Sequence, residues 1–545
     1  MSISSKKRSY ASNAILYTLF VVGALVLVNL IGTRLFGRLD LTEKRIYTLS
    51  KSSKDLVKAL PDYLSVKAFI SKDLPPEIKR LSRDVRDKLD DYQSASNGRF
   101  RWEAVDPAAD KKYEEEASRC KVNKVQIQKL SNSKFELGAY YLGLCLQYGD
   151  KTEAIPQIVS DAGLEFQLSS LIKKLTVKKK KIALTTGHGE FDFNQGLQAI
   201  KQDFEQEYDT TTVNPSSAEI GADIDALIVA GPRQPIDEKG QREIDRFLMT
   251  GKGAVILAPG MVAQGAGARG MESIKMLQSN DNGLGKILES YGFKIGQEIV
   301  VDPPAAAPGV MDVGGGRRAL LTMPAFVAAA TEKAPGLSVL EGVRGLVFPF
   351  ASAVDLVGPL AGGTVPAGAK LWKLAGSSPN SFKHSGFAMV SPEMKFDGAG
   401  KENKSYAFGY AYQGKLKSAF VTEPAASVST EEEKKPLAET EKPVRLVVIG
   451  NAAFASDEWS QLARFMPVFA AGAQLLYNAI GWTVEDEALI PLRSKTMDSR
   501  ALPAMSERKA TVIRWVNILG LPVAFCLFGV ARWRVRRANR KNQRF

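Results

Sequence analysis

The sequence predicts an α/β protein: an extracytoplasmic parallel-sheet α/β domain and a smaller α+β N-terminal domain, flanked by an N-terminal and a C-terminal transmembrane helix. Three observations predict this. Buried-strand runs alternate with helical segments between residues 181 and 258, as parallel α/β units require. A strand–helix–strand pattern lies before them, between residues 63 and 105. An apolar segment beside a cationic tail lies at each end.

Length and charge limit the classes of function. A chain of 545 residues is long enough for roughly two to four domains. The net charge of +14 at first suggests a nucleic-acid-binding protein. However, the two terminal tails carry ten of the excess positive charges and contain no acidic residue. The surface between the tails is therefore nearly balanced, without the basic stripe that nucleic-acid binding needs. We expect no nucleic-acid partner.

The three cysteines, Cys120, Cys145 and Cys526, show no CxxC spacing. The sequence therefore predicts neither a disulfide framework nor a zinc site. Cys145 lies in an apolar strand pattern, where cysteine usually behaves as a small inert hydrophobic residue.

The first apolar segment, residues 14–33, follows a short basic N-terminus of residues 1–13. Between Ala14 and Ile31 its only strongly polar side chains are Thr18 and Asn29, and its length is about enough to cross ~30 Å of hydrocarbon. The run ends in Gly-Thr-Arg rather than in a small-residue cleavage pattern. This favours a retained membrane anchor over a cleaved signal peptide.

The second apolar segment, residues 512–531, contains Arg514, Asn517 and Pro522, so a buried amphipathic helix is the alternative to a membrane helix. The basic tail at 532–545 favours the membrane helix. By the positive-inside rule both termini are then cytoplasmic. The protein would cross the inner membrane twice, with most of the chain in the periplasm and a juxtamembrane linker at 496–511.

The N-terminal extracytoplasmic domain is predicted at residues 34–177. A polar stalk at 39–54 is followed by a strand–helix–strand unit over 63–71, 75–92 and 99–105. Three meander strands over 125–130, 140–148 and 152–155 and a helix over 164–175 complete it. The lysine run at 178–181 is then either a solvated domain junction or a contact for acidic lipid or a partner.

The second domain is predicted at residues 178–495. Strands at 182–184, 225–230 and 254–258 and the helix at 237–249 form its parallel core. Glycine, alanine and proline between 265 and 316 predict a long flexible loop that contains a helix at 284–291 and a strand at 294–301. Further strands are expected at 346–355, 369–374 and 406–420, the last folded into a hairpin at Gln413-Gly414. A mobile linker near 421–443, a strand at 445–450 and an amphipathic helix at 461–480 follow.

The stretch KIALTTGHGE, residues 181–190, predicts a strand followed by a Gly-flanked polar turn. Ligands of open α/β sheets bind at the carboxyl ends of strands, so the candidate ligand-binding residues are Thr186, Gly187, His188, Gly189 and Glu190. His188 and Glu190 could form a general base with its partner, or two metal ligands. The alternative is a turn that only defines the fold. No third triad member, Walker motif or metal partner stands out, so we expect no catalytic residues, metal or cofactor.

Several sequence blocks in order resemble one family. They are LDLTEKRIYTLS at 39–50, TGHGE at 186–190, LAGSSPNSF at 374–382, QGKLKSAF at 413–420, RLVVIGNAAFASDE at 445–458 and ALIPLRSK at 488–495. The chain resembles the GldG-type gliding-motility family of ABC-transporter auxiliary proteins over nearly its whole length. Family members often place acidic residues just after the VVIG strand, whereas this chain has Asn451 and Ala453. A charged site carried over to those positions is therefore in doubt.

The resemblance implies a non-catalytic auxiliary subunit of an ABC-type transport system, linked to gliding motility or cell-envelope function. Its partners would be a permease, a separate ATPase and membrane lipid in a hetero-oligomeric complex. An envelope scaffold without transport is the alternative. A degenerate amidotransferase-like hydrolase that uses His188 is a third hypothesis.

Overall fold

The computed structural model describes the chain in segments. They are residues 16, 19–20, 22–24, 26–27, 48–131, 134–161, 163–265, 275–312, 318–332, 337–386, 388–390, 396–398, 400–420, 437–464, 466–485 and 507–542. The chain divides into two compact units, Met1–Lys495 and Thr496–Phe545. The domain boundary expected near residue 177 lies within the first unit and stays a prediction.

The first part of the chain is an α+β fold with one mixed sheet and four helices among its described residues. Its strands are β1 (Leu64–Ile70), β2 (Phe100–Val105), β3 (Lys124–Ser131), β4 (Lys134–Tyr148) and β5 (Lys151–Ile155). Its helices are α1 (Lys51–Lys58), α2 (Pro76–Ala95), α3 (Lys111–Arg119) and α4 (Leu164–Thr176). The strand order is β2-β1-β4-β3, with β5 also on β4. Because β1 and β2 are parallel, the predicted strand–helix–strand unit is confirmed, whereas the short polar helix α3 was not predicted.

The cysteine prediction is wrong, because Cys120 and Cys145 form a disulfide. Cys120 caps the C-terminus of α3, and Cys145 lies near the C-terminal end of β4. The two residues are 25 positions apart with strand β3 between them, so neither their spacing nor a motif indicated the pair. Cys145 is therefore a covalent link rather than a free hydrophobic residue. The third cysteine, Cys526, is free and exposed.

The central layer is a mixed sheet with the strand order β15-β18-β21-β22-β9-β8-β6-β7. Its strands are β6 (Lys180–Thr185), β7 (Tyr208–Val213), β8 (Ala226–Ala230), β9 (Gly253–Leu257), β15 (Ala330–Thr331), β18 (Lys370–Gly376), β21 (Ala407–Gly414) and β22 (Val444–Ile449). The five strands from β22 to β7 run parallel, as predicted, while β21, β18 and β15 add antiparallel pairs at the other side. The expected parallel sheet is therefore confirmed for five of the eight strands.

Helices cover both faces of this sheet. They are α5 (Gln198–Glu207), α6 (Glu238–Met249), α7 (Gly285–Tyr291), the four-residue α8 (Asp457–Ser460) and α9 (Ala470–Thr483). Alternate strand residues face opposite sides, so Ile182 and Leu184 pack with α5 and α9 while Ala183 packs with α6 and α7. Burial on both faces explains why these strands are continuous apolar runs.

Three further sheets of three strands extend this unit. Their orders are β10-β11-β20, β17-β12-β19 and β13-β14-β16. The strands are β10 (Met261–Gly265), β11 (Lys275–Ser279), β12 (Phe293–Val301), β13 (Ala306–Asp312), β14 (Arg318–Ala328), β16 (Val347–Pro349), β17 (Ser352–Leu356), β19 (Phe382–His384) and β20 (Ala388–Val390). Within the long loop predicted over 265–316, the expected helix and strand are confirmed as α7 and β12. The loop itself is wrong for the described residues, because they also form β11 and β13 despite their Gly- and Ala-rich composition.

Three other predictions need correction. The strand expected over 346–355 is broken at Phe350, whose φ of 53° is outside the extended region. The hairpin expected at Gln413-Gly414 is absent from the described residues, because β21 ends at Gly414 and pairs with β18 and β22 instead. The amphipathic helix expected over 461–480 is two 3₁₀ turns followed by α9, since Pro467 cannot continue a helix from Gln461. Nearly all of α9 is buried.

The predicted linker near 421–443 lies mostly outside the described residues. In its described end, Thr440 is 1% exposed and its N–H donates to the Leu416 carbonyl. This end of the segment therefore packs against the core.

The second unit contains one long helix, α10 (Glu507–Asn542), with Pro522 inside it. The described residues of the first predicted membrane segment are also helical. No helix built from described residues combines the length and the apolar composition that a membrane crossing requires.

Candidate functional site

The predicted TTGHGE turn lies at the carboxyl end of β6 and is held on both sides by hydrogen bonds. The Thr186 N–H donates to the Val213 carbonyl, and the N–H groups of Arg233 and Gln234 both donate to the His188 carbonyl. Gly187 has a φ of 102°, and a Cβ there would lie 2.3 Å from Asn214 Nδ2. Glycine is therefore required at this position by both conformation and space.

His188 and Glu190 are nearly buried, at 7% and 9% exposure. One Glu190 oxygen accepts the His188 backbone N–H at 2.6 Å, and the other lies 3.4 Å from His188 Nδ1. His188 Nε2 lies 2.9 Å from Ser216 Oγ. The structure thus brings together a serine, a histidine and a carboxylate. Ser216 was not predicted, because it follows β7, a strand that the sequence reading missed.

A fourth residue, Asp237, decides what this cluster can do. The Ser216 hydroxyl donates to Asp237 Oδ1 at 2.6 Å, and the Gly240 N–H donates to the same oxygen at 2.8 Å. These two hydrogen bonds lower the pKa of Asp237, which also caps the N-terminus of α6. Because a carboxylate only accepts, the single hydroxyl hydrogen of Ser216 is donated to Asp237 and not to His188. In this arrangement His188 cannot remove the serine proton.

An open cavity lies beside the turn, at the carboxyl ends of β8, β9 and β22. We call it the strand-end crevice. Its volume is about 150 Å³. It is lined by Phe191, Gly196, Gly231, Arg233, Pro259, Met261, Val262, Ala263, Pro349, Phe350, Asn451, Ala452, Ala453, Ser456, Glu458 and Trp459. None of the five predicted site residues lines it, although Phe191 directly follows Glu190.

Hydrogen bonds and aromatic contacts fix the walls of the crevice. The Asn451 side chain donates to the Pro349 carbonyl at 2.7 Å and accepts the Phe454 N–H at 2.9 Å. The Trp459 ring contacts Phe326 edge-on, with ring centroids 4.9 Å apart. Asn451 therefore has a structural role in the wall of the crevice. The carboxylate of Asp457, the first residue of α8, caps α5 by accepting the N–H groups of Gln198 and Ala199.

A second concave surface, the lysine groove, contains most of the lysine run. Its volume is about 500 Å³, and it lies between α4, the start of β6 and the residues after α9. Lys179 donates to the Glu205 carbonyl at 2.6 Å, and Lys180 lies 3.2 Å from Asp225. These contacts agree with a solvated junction between neighbouring elements.

Within the described segments, no group of three or more His, Cys, Asp or Glu side chains is placed to hold a metal ion. His384, the other histidine, lies far along the chain in β19, and burial lowers its pKa.

Fold and site together define a mixed α/β protein with an open crevice at the carboxyl edge of its central sheet. The chain belongs to the auxiliary-protein family described as an ABC-type uncharacterized transport system, whose model matches residues 179–479. This confirms the resemblance inferred from the sequence blocks. A second model, described as a domain of unknown function, matches residues 43–147.

One relative is an uncharacterized protein of Borreliella burgdorferi. It is 21% identical over 526 residues, which cover 92% of this chain and 94% of the relative. A solved structure titled "mmIFT52 N-terminal domain" covers 56% of this chain and 97% of its own, at 12% identity and a TM-score of 0.31. That score is too low to establish a common fold.

Proposed function

We propose that the protein is a non-catalytic, membrane-anchored auxiliary subunit of an ABC-type transport system, and that its extracytoplasmic region binds a ligand or partner. The observation that carries the proposal is the strand-end crevice. It lies at the edge where open α/β sheets bind ligands, and its walls are apolar with a few polar groups. It contains neither of the two histidines.

Exposed apolar side chains support anchoring at both ends. On α10, large residues that are 48–66% exposed recur along the segment expected to cross the membrane: Trp515, Val516, Ile518, Leu519, Val523, Leu527, Phe528 and Val530. Leu16, Leu19, Phe20, Val22, Val26 and Leu27 are 52–79% exposed in the first segment. Apolar surface of this extent is typical of contact with lipid or with other membrane helices.

The Cys120–Cys145 disulfide supports an extracytoplasmic location for the sheet that contains it. Disulfides persist in oxidising compartments and are rare in the cytosol. The cationic tail after residue 531 favours a cytoplasmic C-terminus. Both observations agree with a protein that crosses the inner membrane twice.

The expected partners are a permease and a separate ATPase subunit. This chain has no phosphate-binding GxxxxGK[ST] sequence, so ATP hydrolysis would be carried out by another subunit. A link to gliding motility or to the cell envelope belongs to the same proposal and comes from the family resemblance alone.

A hydrolase is the second candidate function. It is favoured by the cluster of Ser216, His188 and Glu190, since a serine, a histidine and an acid can form a nucleophilic triad. The donation of the Ser216 hydrogen to Asp237 opposes it. A fluorophosphonate probe, which reacts with activated serines, distinguishes the two. We expect no labelling of Ser216 in the full-length protein, and labelling that is lost in Ser216→Ala and in His188→Ala would overturn the non-catalytic assignment.

Co-purification from native membranes in mild detergent tests the main proposal. We expect the tagged full chain to recover a multi-span permease and an ATPase. The double variant Leu527→Arg with Phe528→Arg alters the exposed face of α10 and should reduce recovery. Repeated purification without either partner would contradict the transport role, and recovery of envelope proteins alone would favour the scaffold alternative.

A further inference from the structure

The Cys120–Cys145 disulfide lies at an open groove on one face of the first sheet, which we call the disulfide groove. Its volume is about 310 Å³, and its lining includes both cysteines, Lys67, Glu116 and Arg119. Cys145 is 7% exposed and Cys120 is half-buried, so Cys120 is the more accessible of the two residues. The opposite face of the sheet packs against α2 and α4 in a separate core. Solvent therefore reaches the bond from the side of α3.

Helix α3 has few apolar contacts on this face. Its sequence is KKYEEEASR, and Ala117 is its one buried residue. The buried cluster to which Ala117 belongs consists of Phe69, Ala117, Val122, Tyr141 and Cys145. The Glu116 carboxylate forms an ion pair with Lys67 at 2.7 Å, and its hydrogen bond raises the pKa of Lys67. Without the disulfide, the buried contact of α3 with the sheet would be a single alanine, supported by this ion pair.

The charges of the groove favour an approaching thiolate. Its lining carries two cations, Lys67 and Arg119, and one carboxylate, Glu116. Lys67 lies directly opposite Cys145 in the antiparallel pair β1–β4, so the two side chains are neighbours on the same face. Arg119 directly precedes Cys120 and is exposed. Nearby cations stabilise a thiolate, both in the attacking group and in the cysteine that leaves.

We propose that the disulfide groove is a site of thiol–disulfide exchange with the dithiol of another protein, and that reduction at this site releases α3. A thiolate of the dithiol attacks Cys120 Sγ, forms a mixed disulfide and expels Cys145 as a thiolate. The second thiolate of the partner then attacks its own sulfur in the mixed disulfide, and Cys120 leaves. Two electrons pass to the two cysteines, which take up the two protons lost by the dithiol, and the partner is left with a disulfide.

A dithiol is the reductant that this arrangement favours. After attack by a single thiol, the expelled Cys145 stays beside Cys120 and can attack the mixed disulfide to restore the original bond. The second thiol of a dithiol competes with it, because it is held close to the mixed disulfide by its own chain. Release of α3 would then uncover Phe69 and Tyr141, which are 0% and 8% exposed in the oxidised protein. The inference does not require the transporter.

Reduction kinetics of the full chain in detergent test the exchange, with dithiothreitol as the dithiol and Cys526→Ala as the background. Newly formed thiols are counted by mass spectrometry after alkylation with N-ethylmaleimide. We expect the rate to rise in proportion to dithiothreitol and to stay constant at urea concentrations below the unfolding transition. A rate that rises steeply with urea from the lowest concentrations would mean that reduction requires unfolding. That result would overturn the proposal, as would no reduction of the folded protein.

Charged thiols identify the route of entry. 2-Mercaptoethanesulfonate carries a negative charge and cysteamine a positive one, so their reduction rates are compared at low salt. Arg119→Gln should lower the ratio of the first rate to the second by roughly threefold, as expected for one exposed charge. Arg83→Gln, at an exposed position of α2, is the matched control and should leave the ratio unchanged. An unchanged ratio in Arg119→Gln would exclude entry through the groove.

Hydrogen exchange before and after reduction tests the release of α3. On reduction, the amides of α3 should exchange at least about tenfold faster and approach the rates of an unstructured peptide, while those of β4 stay more protected. The double variant Cys120→Ala with Cys145→Ala should show the same exchange of α3 without reductant. Amides of α3 that stay as protected in the reduced protein as in the oxidised one would refute the release.

Discussion

Removal of the Cys120–Cys145 disulfide should destabilise the first sheet selectively. The bond closes a loop with a sequence separation of 25 that contains β3, and it ties α3 to β4. In the chain-entropy treatment, a loop of this length restricts the unfolded chain by about 3.5 kcal/mol at 25 °C. The double variant Cys120→Ala with Cys145→Ala keeps the apolar character of Cys145, so most of the effect should come from the lost crosslink.

The loss of stability can be measured region by region with hydrogen-exchange mass spectrometry of the full chain in detergent. Amides of β1 and β4 should lose about 3 kcal/mol of protection in the double variant, while amides of β8 and β9 should be unchanged. Reductant added to the wild type should reproduce the loss. The matched control, Cys526→Ala, removes the free exposed cysteine and should change nothing.

Two results would refute the reasoning. Equal protection of β4 in the wild type and the double variant would mean that the crosslink does not restrict the unfolded chain as argued. Alkylation of Cys120 and Cys145 in intact cells without reductant would mean that the bond does not form there, which would also remove its support for an extracytoplasmic location.

Three further predictions concern the turn and the buried polar groups. Gly187→Ala should lower the free energy of unfolding by about 2 kcal/mol or more. Gly98→Ala, with a similar positive φ but open space around it, should lower it by about 1 kcal/mol. Equal losses of the two variants in urea unfolding would argue against the clash with Asn214. Asp237→Ala should lower the melting temperature at pH 7. Because the pKa of Asp237 is lowered in the folded state, the difference in melting temperature from the wild type should shrink as the pH falls below about 3.9. A difference in melting temperature that does not depend on pH would contradict this. Tyr291→Phe should lower the free energy of unfolding by about 1–3 kcal/mol, because it removes the 2.6 Å hydrogen bond to the buried Asp245. An unchanged free energy in the same unfolding assay would mean that the hydrogen bonds from Ser418 and Ala419 satisfy that carboxylate alone.

Strands buried on both faces were predictable because their sequences are apolar throughout. The parallel strands β6, β8, β9 and β22 all appear as short apolar runs, and each was predicted within about two residues. Edge strand β7 was missed, since its sequence YDTTTV is mostly polar and only partly buried. Strands built from alanine and glycine, such as β13, were read as loop because their pairing partners, not their own composition, make them strands.

The candidate site was predicted in part for a related reason. The position of the TTGHGE turn at a strand end follows from local sequence, whereas its surroundings depend on residues distant in the chain. Ser216 and Asp237 lie 28 and 49 positions after His188, and Glu458 belongs to α8, which follows β22. No local sequence pattern connects these positions. The hydrogen bond from Ser216 to Asp237 and the location of the crevice could therefore be found only from the tertiary structure.

The order of the strands explains how the turn and the crevice are related. The chain passes from β6 outward to β7 and then back across to β8, so the carboxyl ends of β6 and β8 form the switch point at which open α/β sheets bind ligands. Here the TTGHGE turn fills that space itself, and its His188 carbonyl accepts the N–H groups of Arg233 and Gln234 from the loop after β8. The Phe191 N–H, directly after the turn, donates to the Ala230 carbonyl. The turn therefore fixes both Phe191 and Arg233, and the open space moves to the neighbouring ends of β8, β9 and β22. In this arrangement the turn holds two residues that line the crevice, while its own five predicted site residues do not line it.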